Sequence, residues 1–322
     1  MKAGTIRLLG MTIALTLVVP LERSQAYPSK PIRMVVPFGA GSGADSAARL
    51  IASKLGERFG QPLIVENRPG ADSIIGTDAV AKAAADGHTI LFSGCASITI
   101  LPHTRKRLPY DPFKDFVHVV QAAYVQFVLA AGPSVSAANV ADLMALARSR
   151  SGQLSYATAS ESAFITAEMF KHAAKVEIVH VPYKALAAAT SDLLSGQVDV
   201  AFGPLVTFTP HLRTNRLKVL AVTGGERSPA LPEVPTMAEA GLLGFESSSC
   251  YGISAPQATP TSVANRWNSE VTAVLKMPEI AEKFLALGLE PRFGTSEQFT
   301  AFLRAESERQ RGVLQRIGFK PE

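Results

Sequence analysis

Three stretches of the 322-residue chain hold groups that could do chemistry. The first is Gly39-Ala40-Gly41-Ser42-Gly43-Ala44, followed by Asp45, which closes an apolar run and opens a helical pattern. It satisfies G-x-G-x-x-[GA] with Glu66 some twenty residues on, so a dinucleotide site is one reading. The underlying physics is more general. A glycine-rich turn at a helix start offers N–H groups and the positive end of the helix dipole to any anion. A tight strand–helix turn without a ligand explains the same residues equally well. The second stretch is Ser155-Tyr156-Ala157-Thr158-Ala159-Ser160-Glu161-Ser162. Its hydroxyls at a helix start suit a carboxylate, and N-capping by Ser160 or Ser162 is the ligand-free alternative. The third is the pair Cys95 and Cys250. Two separate buried thiols are the preferred expectation, a disulfide the alternative.

Catalytic and metal readings find little support. The segment around Ser42 lacks the outer glycines of a nucleophile elbow. The six histidines show no catalytic or metal-ligating spacing to acids, with neither H-x-H nor H-E-x-x-H present. His180, between Val179 and Val181, reads as a satisfied core or rim residue. No enzyme activity, metal or cofactor is expected.

Composition narrows the class further. With 47% hydrophobic and 18% charged residues, the chain carries enough apolar side chains for two ordinary domains. Of the formal charge of +5, the first 26 residues hold +2, leaving a mild excess that marks a soluble surface rather than a nucleic-acid footprint. The run Arg105-Lys106-Arg107 has no aromatic platform beside it and reads as a solvated loop.

Residues 1–26 read as a cleaved export signal: Lys2 and Arg7, the apolar run Leu8 to Leu21, then Ser24-Gln25-Ala26 ahead of Tyr27. That run falls short of the ~20 residues a membrane span needs, although an uncleaved anchor is the alternative. Export counts against the dinucleotide reading, because nicotinamide cofactors are not available outside the cytoplasm. Pro37-Phe38 would also crowd a pyrophosphate.

Around these motifs, β-rich runs alternate with amphipathic helices. Strands are expected at 32–38, 63–66, 89–92, 154–157, 176–181, 198–202 and 217–222, with helices at 44–59, 74–84, 140–148, 164–174 and 187–194. Val117 to Ala131 reads as two extended segments crossing between sub-sheets, and the tail as helices at 261–275, 278–287 and 296–317. Alternating strands and helices mean α/β architecture with parallel strands covered on both faces. Two α/β lobes with a helical tail follow.

Several motifs occur together in order: Tyr27-Pro28-Ser29-Lys30-Pro31, Val36-Pro37-Phe38, Glu66-Asn67-Arg68-Pro69-Gly70, Leu108-Pro109-Tyr110-Asp111-Pro112 and Val179-His180-Val181-Pro182-Tyr183-Lys184. Leu193 to Val198 and Arg227 to Thr236 continue the series. On these the chain resembles the Bug (Bordetella uptake gene) extracytoplasmic solute receptors of tripartite tricarboxylate transporters. The resemblance implies a two-lobe periplasmic binding protein fold, type II-like, each lobe a mostly parallel sheet flanked by helices. The first lobe is discontinuous, 27–128 plus 250–322, and the second is 129–249. It implies a monomeric, non-catalytic periplasmic receptor that closes on a small organic carboxylate and delivers it to a two-subunit membrane permease. A ligand-sensing module for a two-component system is the alternative role.

In such receptors backbone N–H groups grip the carboxylate. Carried over, the contacts are Phe38, Gly39, Ala40, Gly41, Ser42, Gly43 and Asp45 from the first loop, and Thr158, Ala159, Ser160 and Ser162 from the second. Cys95 and Ser97, with Tyr183, Gly203 and Pro204, are expected to line the rest of the cleft. Compared with the family pattern, Ala44 replaces Thr, Cys250 replaces Trp, and the second loop is shorter and carries Glu161. A glutamate there would repel a second ligand carboxylate unless solvated or neutralised.

Overall fold

Ile32–Val36 forms β1, and the chain then turns at Ser42 into helix α1, Gly43–Phe59. Ser42 is extended, and its hydroxyl accepts the amide of Asp45, so one orphan donor of the first helical turn is satisfied. Gly60 ends the helix at φ +67°, where its N–H donates to the Gly56 carbonyl. β2 (Leu63–Asn67), α2 (Ile74–Ala81) and β3 (Thr89–Gly94) follow, then two single-turn helices, α3 (Ala96–Thr99) and α4 (Leu101–Thr104). The computed structural model describes residues 27–212 and 216–321. The export signal read over 1–26 lies outside them.

β4 spans Phe116–Ala131 as one strand of 16 residues, where two segments were expected. Next come α5 (Val140–Ser149), β5 (Ser155–Thr158), α6 (Glu161–Ala174), β6 (Val179–Pro182), α7 (Leu186–Ser195), β7 (Val200–Pro204), α8 (Leu205–Leu212) and β8 (Lys218–Val222). The chain closes with β9 (Ser248–Pro256), α9 (Thr261–Leu275), α10 (Pro278–Ala286), β10 (Leu289–Pro291) and α11 (Ser296–Arg316).

The strand order is β2-β1-β3-β9-β4-β7-β5-β6, with β10 and β8 pairing β4 off this path. The parallel trios β2-β1-β3 and β6-β5-β7 are those the alternating pattern implies, and antiparallel strands complete a mixed sheet. β4 joins the halves. Its residues Phe116 to Gln126 pair with β9, whereas Phe127 to Ala131 pair with β7. The crossing between sub-sheets is therefore real, but unbroken.

Each half has its own core. In the first, the buried stripe of α1 (Ala47, Ile51, Leu55, Phe59) packs with Trp267 and Val271 of α9 over β1 and β3. Trp267 is fully buried, and its indole N–H donates to the Tyr27 hydroxyl at 2.6 Å, so its polar atom is satisfied. In the second, Tyr156, Phe170 and Phe202 pack beneath α5 and α6. Burying each such ring contributes about 1.5–3 kcal/mol. A smaller cluster joins Ile100 to Ile165 of α6 and to Val313 and Leu314 of α11, so the last helix touches both halves.

Candidate functional site

Two turns of the same construction sit at the carboxyl ends of β1 and β5, one in each half. In the first, Asp45 organises everything around it. Its Oδ2 accepts the Gly41 amide at 2.9 Å, where Gly41 has φ +78°. Its Oδ1 accepts Arg49 Nε at 3.0 Å and Asn67 Nδ2 at 2.8 Å. Asn67 also donates to the Phe38 carbonyl, which ties the end of β2 to the loop. Burial pushes the Asp45 carboxyl up, but the donors from Arg49, Gly41 and Asn67 outweigh it and hold the group below the ordinary carboxylate value. With Ser42 capping Asp45, the amides of Gly43 and Ala44 find no protein acceptor among the described residues.

The second turn repeats the pattern. Ser160 is extended and its hydroxyl accepts the Ala163 amide at 3.3 Å, while its carbonyl accepts the Phe164 amide. The amide of Ser162 has no protein acceptor among the described residues. Thr158 is buried, its hydroxyl 2.8 Å from His180 Nε2, and its carbonyl accepts the Tyr183 amide. His180 stacks on Tyr156 at 4.8 Å, the satisfied rim position expected for it.

Both turns touch the opposite half. A Cβ at Gly43 would lie 2.9 Å from Cγ1 of Val206 in α8, and 3.3 Å from the Tyr251 hydroxyl. At the second turn, Glu161 accepts from Arg105 of the first half at 3.3 Å. Chemically, each such turn can hold an anion at a helix N-terminus. The Ser42 and Ser160 hydroxyls are engaged as caps and have no hydrogen-bonded base among the described residues. Among the described residues no group of His, Cys, Asp and Glu could hold a metal ion.

Of the expected contacts, Gly39, Ala40 and Gly41 are exposed on the first turn and Ser42 and Gly43 half-exposed, with Ala159 and Ser160 half-exposed on the second. Phe38 is half-buried, its ring lying 3.3 Å from where Gly94 would carry a Cβ. Pro204 is half-buried opposite Phe127. Several others are engaged within the protein. Asp45 is buried and braces the loop, its oxygens occupied by protein donors. Cys95 is bonded to Cys250, so the two free thiols expected are a disulfide and neither offers a thiol to a ligand. Ser97 is fully buried, its hydroxyl shared between Ser93 and the Gly94 carbonyl. The Tyr183 hydroxyl donates to Asp192 at 2.6 Å; burial and that carboxylate push its pKa up to about 12. Gly203 is buried under the Phe208 ring.

Three participants went unrecognised. Asn67 and Val206 carry no signal beyond the turn and helix they belong to. Arg105, expected in a solvated run, has a side chain only 15% exposed and bound to acids from both halves.

A family model described as "Tripartite tricarboxylate transporter family receptor" matches residues 47–319. Protein BugT of Bordetella pertussis is 32% identical over 319 residues, 97% of this chain and 97% of its own. Among solved structures, R. palustris Rpa4515 with adipate is 34% identical with a TM-score of 0.88, covering 92% of this chain and 100% of that one. MatC (Rpa3494) from Rhodopseudomonas palustris with bound malate is 27% identical with a TM-score of 0.83, covering 89% and 100%.

Proposed function

The chain belongs to the tripartite tricarboxylate transporter receptor family, and we propose from that premise that it is a periplasmic receptor for a small carboxylate-bearing solute. The family is one of solute-binding receptors, not of enzymes. The solute's carboxylate sits between the N-termini of α1 and α6, takes up the amides of Gly43, Ala44 and Ser162, and favours the closed arrangement by contacting both halves. The lobes are 27–128 with 250–322, and 129–249, hinged where β4 and β9 cross. The protein is exported through a leader of residues 1–26, acts as a monomer and passes its solute to a two-subunit membrane permease.

The observation that carries this reading is the pair of serine-capped turns whose unpaired amides lie where the halves meet. Bound adipate and malate in two relatives support the ligand class. Trp267 lies in the first core, so calorimetry and thermal shift are better reporters than its fluorescence. A solute at 100 times its Kd is expected to stabilise the protein by about 2.7 kcal/mol. No heat and no stabilisation from a panel of mono- and dicarboxylates, including aromatic and amide-bearing ones, would refute it.

A further inference from the structure

Ala71, Asp72 and Ser73 have φ of +45°, +50° and +76°, three consecutive non-glycine residues in the left-handed region. Each such residue costs about 1–2 kcal/mol, so the turn persists because its surroundings impose it. One of those surroundings is Arg105, whose Nη2 lies 2.6 Å from Asp72 Oδ2. The same nitrogen lies 3.3 Å from Oε2 of Glu161, the first residue of α6. Asp72 and Arg105 belong to the first half and Glu161 to the second. The Arg105 and Glu161 side chains are 15% and 12% exposed, so their attraction is screened less than a surface pair's. Beside them, Ile100 of the first half shares a buried apolar cluster with Ile165 of the same helix α6.

We propose that Arg105 is a clasp: it ties the strained 71–73 turn to the N-terminus of α6 and so holds the two halves closed before any solute arrives. This rests on the reading of the chain as a closing receptor. Arg105 is a positioning residue, setting affinity by raising the population of the closed form rather than by touching the solute. It also supplies the neutralising partner that Glu161 needs if it is to sit beside an anion seat.

The test has a ligand-free arm and a ligand arm. In the first, the radius of gyration of ligand-free wild type, Glu161→Gln and Arg105→Met is measured by small-angle scattering, with circular dichroism confirming each fold. The clasp requires both variants to be more expanded than wild type. In the second, adipate affinity falls on the order of five- to thirty-fold in each single variant, mostly through faster release. The double variant is no worse than the worse single one, and Arg105→Lys recovers part of the loss. Should Arg105→Met fail to fold, the isosteric Glu161→Gln decides. Unchanged radii, or affinity losses that multiply in the double variant, overturn the clasp. Because the scattering arm uses no solute, a protein that binds no carboxylate at all would refute the receptor reading while leaving the clasp to be judged on its own.

Discussion

A methyl group added at Gly43 would sit 2.9 Å from Cγ1 of Val206 and 3.3 Å from the Tyr251 hydroxyl. Gly43 opens α1 and is absent from the positive-φ glycines, so alanine fits its backbone and gains up to about 1 kcal/mol of helix propensity. The cost falls elsewhere. Val206 belongs to the other half, and overpacking of this kind costs about 1–3 kcal/mol. It is incurred only when the halves are together. Gly43→Ala therefore leaves the amide donor in place and weakens solute binding by roughly 5- to 30-fold, the equivalent of about 1–2 kcal/mol. Val206→Ala removes the obstructing methyl, so the double variant recovers most of the affinity. Calorimetric titration of the four proteins with one solute reads this directly. Unchanged affinity in Gly43→Ala, or no recovery in the double variant, would show that these two residues do not meet in the ligand-bound form.

Asp45→Asn removes an anion that holds Gly41, Arg49 and Asn67 together, and should cost about 1–3 kcal/mol in a chemical melt. Because the folded carboxyl titrates below its ordinary value, its contribution is present at neutral pH and disappears as pH falls below about 4; the variant should lose that dependence. His118 is buried with one ring nitrogen on the Pro112 carbonyl and the other on Ser254, and burial lowers its pKa to about 4. The unfolded chain takes up that proton first, so stability falls by up to about 3 kcal/mol as pH drops from 6.5 towards 4, and His118→Gln should flatten that slope. The Cys95–Cys250 bond links the end of β3 to β9 across 155 residues, so Cys95→Ser/Cys250→Ser should cost about 2–5 kcal/mol, read as a lower melting temperature that no longer responds to reductant.

Much of the architecture was legible because it rests on local rules. The apolar stripe and the Gly60 stop after it mark α1 to within a residue, and Thr261–Leu275 is found as expected. β9 was missed, since Ser248-Ser249-Cys250-Tyr251-Gly252 has little strand propensity and is a strand because β3 and β4 flank it. α8 was hidden by Pro204 before it and Pro210 inside it. The site divides in the same way. Helix-start turns are written in the sequence as glycine and serine, so both were found. What sequence could not show is direction: which oxygen of Asp45 faces inward, that Ser97 and Gly203 lie beneath the surface, and that Cys95 meets Cys250 with Cα atoms 5.3 Å apart. Arg105 joins residues 33 and 56 positions away, a link no local spacing encodes.

The seat of the solute's carboxylate decides whether both halves bind it. The most direct measurement is an amide-nitrogen NMR titration of the isotopically labelled protein with whichever carboxylate binds. Resonances of Gly43, Ala44 and Ser162 should move together and saturate with one affinity, although they belong to two separate halves. Shifts confined to one turn, or centred on the outer groove between α1 and α10 near Lys54 and Lys283, would contradict it.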